Sequence, residues 1–209
     1  MPPSPIPFPA LIAGAYLLGS IPFGLLVARS RGVDIRKVGS GNIGATNVLR
    51  SVGKPWGILV FLLDFLKGLA PALLAARLSP VTDAGLYCGF AAIAGHNWPV
   101  WLGFKGGKGV ATSAGVLAGA APMTILPGLL TWIIVLKTTR YVSLASILAA
   151  VVVAASAWIF YADHPVVAAL LTVLALLVIV RHRANIGRLL RGEENRFQRK
   201  PRTSGKESA

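Results

Sequence analysis

The chain has 209 residues, 55% of them hydrophobic and 13% charged, with a net charge of +14. That is too apolar for an ordinary soluble domain and too short for several membrane domains, which leaves one membrane-embedded helical bundle. The single cysteine, Cys88 in an apolar segment, excludes an intrachain disulfide and a thiolate metal cluster, and reads as a small packing residue.

A spanning helix needs roughly 20 apolar residues to cross about 30 Å of hydrocarbon. The first 24 residues carry no Lys or Arg. The apolar stretch at 6–28 outruns a signal-peptide core and lacks a small-residue cleavage site, so a retained span is expected there. A basic, glycine-rich loop leads to a second expected span at 56–76, which contains Asp64 and Lys67. Each charge costs about 2.5–3.5 kcal/mol at the centre of a bilayer. Three apart on a helix, the two are expected to pair and face the bundle, the alternative being that Lys67 lines a substrate site. Further spans are expected at 84–102, 142–161 and 165–180, the last one short. Residues 110–136 are also apolar but interrupted by Pro122 and Pro127. One domain is expected over 1–196, followed by a basic, disordered tail at 197–209.

Charge decides how 110–136 runs, because Lys and Arg collect in cytoplasmic loops. With the N-terminus outside and this stretch folded as a hairpin of two short helices, 19 of the 21 basic residues become cytoplasmic. A single crossing would send Lys137, Arg140 and the nine basic residues of the C-terminal segment outside. The expected fold is therefore an all-α polytopic membrane protein of about seven transmembrane helices, two of them short, with a cytoplasmic C-terminus. A basic segment beside a membrane meets anionic lipid headgroups, which disfavours a nucleic-acid partner.

Three polar segments are too rich in glycine and hydrogen-bonding side chains to be mere connectors. The first, VGSGNIGATNVLR at 38–50, satisfies G-x-G-x-x-G at Gly39, Gly41 and Gly44. The dinucleotide fingerprint must follow a strand, and here an apolar span precedes it, so that reading is excluded. What remains is a nest of N–H groups suited to an anion, or a flexible interhelical loop. The second, GHNWPVWLGFKGGKGVAT at 95–112, sets Lys105 and Lys108 immediately before an apolar helix. Lysines beside the free N–H groups of a helix start make a phosphate site. It is not a Walker loop, because three residues rather than four separate Gly103 from Gly107, and Gly109 stands where Ser or Thr would hold magnesium. His96 reads either as a hydrogen-bonded core residue or as a ligand or base. The third segment joins Arg140, Tyr141 and Ser143 to residues 181–196. On a helix, His182, Asn185 and Leu189 share one face and Arg181 and Arg188 another. The arginine face is expected to meet lipid phosphates while His182 and Asn185 turn towards the other loops, the alternative being a solvated basic helix.

The stretches GSGNIGATN at 39–47, GHNWPVWLGFKGGKGVAT at 95–112 and HRAN at 182–185 closely resemble the three motifs of the bacterial acyl-phosphate:glycerol-3-phosphate acyltransferases, and GSIPFG at 19–24 also fits. The similarity runs over nearly the whole chain to about Arg196. It implies transfer of a fatty acyl group from acyl phosphate to the sn-1 hydroxyl of glycerol 3-phosphate at the bacterial inner membrane, giving lysophosphatidate for phospholipid synthesis, with no cofactor. Carried over by position, the resemblance implies glycerol 3-phosphate binding by Ser40, Asn42, Asn47, Arg50, Lys105, Ser143, His182 and Asn185. It implies acyl phosphate binding by Gly106, Gly107, Lys108, Gly109 and Thr112, and catalytic parts for His96, His182 and Lys105.

An acyl phosphate is a mixed anhydride whose phosphate leaves readily, so direct attack by a hydroxyl needs no covalent enzyme intermediate. The proton acceptor stays open among His96, His182 and a phosphate oxygen, and no single histidine is expected to be an indispensable base. Metal is not expected, since three histidines, one cysteine and scattered carboxylates offer no ligand set. The other function class is a transporter of a phosphorylated metabolite. Such proteins place their site near the midplane, often between inverted repeats, whereas the polar segments here gather at one face and the halves show no convincing repeat.

Overall fold

The first apolar stretch forms two helices where one was expected over 6–28: α1 (Phe8–Gly19) and α2 (Phe23–Ser30). Pro22 has no N–H to continue the ladder and disfavours helical backbone at Ile21, so the span breaks between them. The carbonyl of Ile21, left over by the break, accepts a hydrogen bond from Lys67 Nζ at 2.9 Å. A 3-10 turn at Ile35–Lys37 leads into α3 (Ala45–Ser51) and the long α4 (Lys54–Leu78). The span expected at 84–102 is helical only as α5 (Ala84–Asn97) and closes with a 3-10 turn at Val100–Leu102, because Pro99 cannot continue the helix.

The stretch at 110–136 resolves into α6 (Val110–Ala120), a 3-10 turn at Pro122–Thr124 and α7 (Ile125–Thr139). Pro127 falls in the first turn of α7, where the missing N–H has no intrahelical partner to lose. Next come α8 (Val142–Phe160), α9 (Pro165–Arg181) and α10 (Arg183–Leu190). This computed structural model describes residues 6–197; the rest of the expected basic tail lies outside the described residues. Among the described residues, regular structure is helical throughout.

Four helical segments are long and apolar enough to cross a membrane: Phe8–Ser30 taken across its break, Lys54–Leu78, Pro122–Thr139 and Val142–Phe160. A fifth is the pair α9 and α10, bent by 56°. At about 1.5 Å per residue α6 covers roughly half of the hydrocarbon thickness. Lys108, before α6, bonds Asn185, and the Arg140 carbonyl, after α7, accepts from Phe197 N at 2.9 Å. Both ends of 110–139 thus meet the C-terminal segment, so the stretch leaves one end of the bundle and returns to it. Arg50 and Ser143 join the same end through Asn195 and Glu194. Elsewhere, α1 and α5 begin together, with the Phe8 and Tyr87 rings edge to face at 6.2 Å.

Leu86, Ile93, Val116, Val153 and Leu171 make the main core between α5, α6, α8 and α9. Leu25, Ile35, Ile43, Val48 and Val60 make a second, which seats the first polar loop on α2 and α4. Small residues set the closest helix approaches: a Cβ on Gly19 would overlap the Ala92 carbonyl, and one on Gly68 the carbonyl of Thr112. Cys88 is a buried free thiol, in keeping with a packing role. Ile58, Phe61, Leu62 and Leu66 of α4 face outward, as suits a helix whose surroundings are hydrocarbon.

Candidate active site

The first loop is shaped by Asn47, which is 3% exposed. Its Nδ2 donates to the carbonyls of Ile35, Val38 and Asn42 at 3.1, 3.0 and 2.9 Å, and its Oδ1 accepts from Ser40 N at 3.1 Å. Asn42 Oδ1 accepts from Gly44 N at 2.8 Å and so starts α3. The two asparagines therefore fold the loop, and the hydroxyl of exposed Ser40 is the polar group it presents. Gly39, at φ +59°, lies so close to Asn47 that a Cβ would overlap Oδ1. Arg50 donates to the Asn195 carbonyl at 3.3 Å and lies 5.3 Å over the Phe197 ring, carrying its guanidinium towards the third segment.

The second loop differs from its expected form in one respect. Gly106 and Gly107 do not offer free N–H groups, for they donate to the carbonyls of Asn97 and His96 at 3.2 and 3.0 Å. Their carbonyls are gripped by Arg181, whose Nε and Nη2 reach Gly107 at 3.1 and 2.6 Å and whose Nη2 reaches Gly106 at 3.1 Å. Among the described residues, the N–H groups without a backbone acceptor run from Lys108 to Thr112, the start of α6. The free N–H groups of this loop thus begin one step further along the chain. Gly109, at φ +78°, makes the turn into the helix.

Gly107 is small because the His96 imidazole lies against it, so close that a Cβ would overlap Nε2 and stand 2.9 Å from Cε1. Gly107→Ala is expected to lower kcat/KM about 100-fold, since a shift near 1 Å in a positioned group has that effect. Steady-state rates beside a thermal melt check it, and a wild-type rate would show that the loop tolerates the shift.

The third segment holds a residue that sequence reasoning missed. Glu194, 9% exposed, accepts from Ser143 Oγ at 2.8 Å and Asn185 Nδ2 at 2.6 Å on Oε1, and from Arg188 Nε at 2.7 Å on Oε2. Asn185 Oδ1 in turn accepts from Lys108 Nζ. This chain joins Lys108 of the second loop to Ser143 of α8 through the side chains of the C-terminal segment. Neither Arg181 nor Arg188 is turned to lipid as expected: one grips the second loop and the other grips Glu194. Nothing in the spacing around Glu194 marked it, because its partners come from two elements, Ser143 from α8 and Asn185 and Arg188 from α10.

Electrostatics follow from this packing. Burial, opposed by Glu194 and reinforced by Arg188, Arg181 and Arg50, brings the Lys108 ammonium down to about 8. Burial and the nearby Lys108 hold His182 at about 4, so its imidazole is neutral at pH 7. Its Nδ1 lies 2.8 Å from the Val178 carbonyl, which assigns the proton to Nδ1 and leaves Nε2 as an acceptor. Burial acts to raise Glu194, but hydrogen bonds from Asn185, Ser143 and Arg188 outweigh it and leave the carboxyl below its ordinary value.

Lys105 is exposed on the rim of a cavity of about 400 Å³, which Arg36, Ile43, Phe104, Gly106 and Arg181 also line. Thr112 and His96 are buried below the loop, at 0% and 5% exposure. The structure thus gathers Ser40, Arg50, Lys105, Lys108, Ser143, His182 and Asn185 at one end of the bundle. Two places at this end gather donors of the kind that bind anions: the start of α6 beside Lys108, and the group that Glu194 now occupies.

The chain matches the family model described as glycerol-3-phosphate acyltransferase over residues 9–192. It is 50% identical over 189 residues to the glycerol-3-phosphate acyltransferase of Aquifex aeolicus, covering 90% of this chain and 97% of that one. The Geobacter sulfurreducens relative of the same name is 50% identical over 191 residues, covering 90% and 96%. Two crystal structures of PlsY, an integral membrane glycerol 3-phosphate acyltransferase, superpose with TM-scores of 0.85 and 0.83 at 48% and 47% identity, covering 91% of this chain and 96% and 95% of theirs. One is the glycerol 3-phosphate form and the other the lysophosphatidic acid form. With the family model matched over residues 9–192, relatives half identical over nine-tenths of the chain and the fold shared with two solved structures, this chain belongs to the glycerol-3-phosphate acyltransferase family.

Proposed function

We propose that this protein transfers a fatty acyl group from acyl phosphate to the sn-1 hydroxyl of glycerol 3-phosphate, releasing lysophosphatidate and inorganic phosphate. The observation that carries the reading is the hydrogen-bonded chain Lys108–Asn185–Glu194 at one end of an apolar bundle, which joins the helix start of α6 to the donors around Glu194. Both substrates bear phosphate, and a mixed anhydride needs no enzyme nucleophile. A neighbour solved in glycerol 3-phosphate and lysophosphatidic acid forms adds support.

In this reading the N–H groups from Lys108 to Thr112, with the Lys108 ammonium, hold the acyl phosphate. Ser40, Arg50, Lys105, Ser143, His182 and Asn185 hold glycerol 3-phosphate. Its phosphate displaces Glu194 from part of the donor set, and His182 Nε2 accepts from a glycerol hydroxyl. A group at about 4 is a weak base at neutral pH, so the hydroxyl proton passes to a phosphate oxygen as the C–O bond forms and the phosphate leaves. Orientation and oxyanion stabilisation supply the rate.

The single domain carries seven helices in the membrane, α1 with α2 acting as one and the short α6 paired with a full-length span at Pro122–Thr139, with the N-terminus outside. The site faces the bacterial cytoplasm, and Arg29, Lys37 and Arg183 meet anionic lipid headgroups. The test is acyl transfer to labelled glycerol 3-phosphate by purified protein, offered acyl phosphate, acyl-CoA and acyl-carrier protein separately. Product with acyl phosphate alone is expected. No product from any donor, in folded protein, would turn the reading to transport of a phosphorylated metabolite.

The titration of Lys108 sets a pH dependence. Below about 8 the amine is charged and binds phosphate; above it the charge is lost, so kcat/KM for acyl phosphate falls as pH rises through about 8. Stability runs the other way. The folded protein binds this proton more weakly than the unfolded chain, so the cost of burying the cation is present below about 8 and relieved between there and 10.5. Rate and melting profiles over pH 6–10 that fall together would rule this assignment out.

A further inference from the structure

Asp64 and Lys67 belong to none of the three motifs, yet each makes a contact that a self-contained ion pair would not need. Their side chains are 3% and 2% exposed and meet at 2.7 Å between Asp64 Oδ1 and Lys67 Nζ. Lys67 also donates to Ile21 in the break between α1 and α2 and lies 5.5 Å from the centroid of the Phe23 ring. Asp64 Oδ1 also stands 3.6 Å from His96 Nδ1. The imidazole lies between this carboxylate and Gly107, with Nε2 against the glycine. The carbonyls of His96 and Asn97 hold the N–H groups of Gly107 and Gly106. Any rotation of His96 therefore reaches the loop twice, once through its ring and once through its backbone.

We propose that Asp64, braced by Lys67, is a positioning residue that orients His96 as the floor of the loop at 106–109 and so aims Lys108 and the start of α6 at the acyl phosphate. This rests on the acyl-phosphate reading of that loop. A carboxylate facing Nδ1 keeps the imidazole proton on that nitrogen and leaves Nε2 as the lone-pair edge beneath Gly107. At 3.6 Å the two are too far apart for a hydrogen bond, and His96 Nδ1, like buried side-chain atoms of Asn97, Thr112 and Ser113, has no hydrogen-bond partner among the described residues. Asp64 therefore acts on the ring through its charge, which faces Nδ1, and not through a hydrogen bond. On the far side Lys67 steadies the break, two residues from Gly24, where a Cβ would overlap the Ile43 carbonyl of the first loop. One ion pair inside the bundle in this way braces both polar loops.

The test removes both charges together, in Asp64→Asn with Lys67→Met, so that neither is left buried and unpaired. The double variant is expected to elute and melt as a folded protein, to keep its KM for glycerol 3-phosphate, and to raise its KM for acyl phosphate about tenfold. A wild-type KM for acyl phosphate, or an equal rise in both KM values, overturns the proposal, because a merely structural pair predicts one or the other. A second measurement stands if the variant does not fold: ¹⁵N spectra of histidine-labelled wild-type protein, with His96 assigned by its loss in His96→Gln. Protonation at Nδ1 is expected, and protonation at Nε2 overturns the proposal. Wild-type protein that fails to use acyl phosphate would sink the functional reading, while the tautomer would still decide whether Asp64 orients His96.

Discussion

Lys108→Met is expected to lower kcat/KM for acyl phosphate by about 10²- to 10³-fold, the effect of losing a well-aimed donor to developing charge, and to raise the melting point of the substrate-free protein. The two effects share one cause. Lys108 is held near its charge threshold by burial and by three guanidiniums, which weakens the folded state but leaves a poorly solvated cation ready for a phosphate. Methionine keeps the length of the side chain and removes that penalty along with the charge. It also releases Asn185 Oδ1, so a smaller loss in kcat/KM for glycerol 3-phosphate accompanies the first. Steady-state kinetics with each substrate varied in turn, beside a melt in detergent, provide the check. An unchanged rate would remove Lys108 from the site.

Glu194→Ala is expected to abolish measurable turnover and to destabilise the protein by about 3 kcal/mol, since three donors lose a charged acceptor at once. Ser143 and Asn185 are buried and have no water to turn to, whereas Arg188, whose side chain is 30% exposed, recovers part of its solvation. Glu194→Gln keeps the volume and one carbonyl acceptor, so it is expected to fold but to bind glycerol 3-phosphate with altered affinity. If the glutamine variant melts like wild type and binds the substrate equally well, the carboxylate has no part in holding the donors that the substrate uses. The pair of variants separates Glu194 as a brace for the C-terminal segment from Glu194 as an occupant of the phosphate position.

Much of the architecture was legible because membranes impose simple rules. Length and apolarity mark the helices in lipid, and Pro22, Pro99 and Pro122 mark where a helix stops, even though the break at Pro22 was not expected. The hairpin at 110–139 was legible through charge alone, since the basic residues on either side of it belong at one end. The glycine loop before α6 announced an anion site by composition. Its donor set was misread, because a backbone N–H carries no sign in the sequence of the carbonyl it will meet. Gly106 and Gly107 look like Gly109 when written as letters, yet two of them lie against His96 and Asn97 and one turns the chain into a helix.

The sequence by itself determined the family, through the resemblance of its motifs, and the helical membrane body, the three polar segments and the basic end at which they meet, because these last depend on local composition or periodicity. Only the tertiary structure decided that Glu194 joins Ser143, Asn185 and Arg188, that Arg181 grips the second loop, and that Asp64 reaches His96. Apart from the bonds of Glu194 to Asn185 and Arg188, those contacts link residues far apart in the chain. Such partners are chosen by how helices pack, through close approaches such as Gly68 on Thr112 and Gly19 on Ala92, and no local rule encodes them.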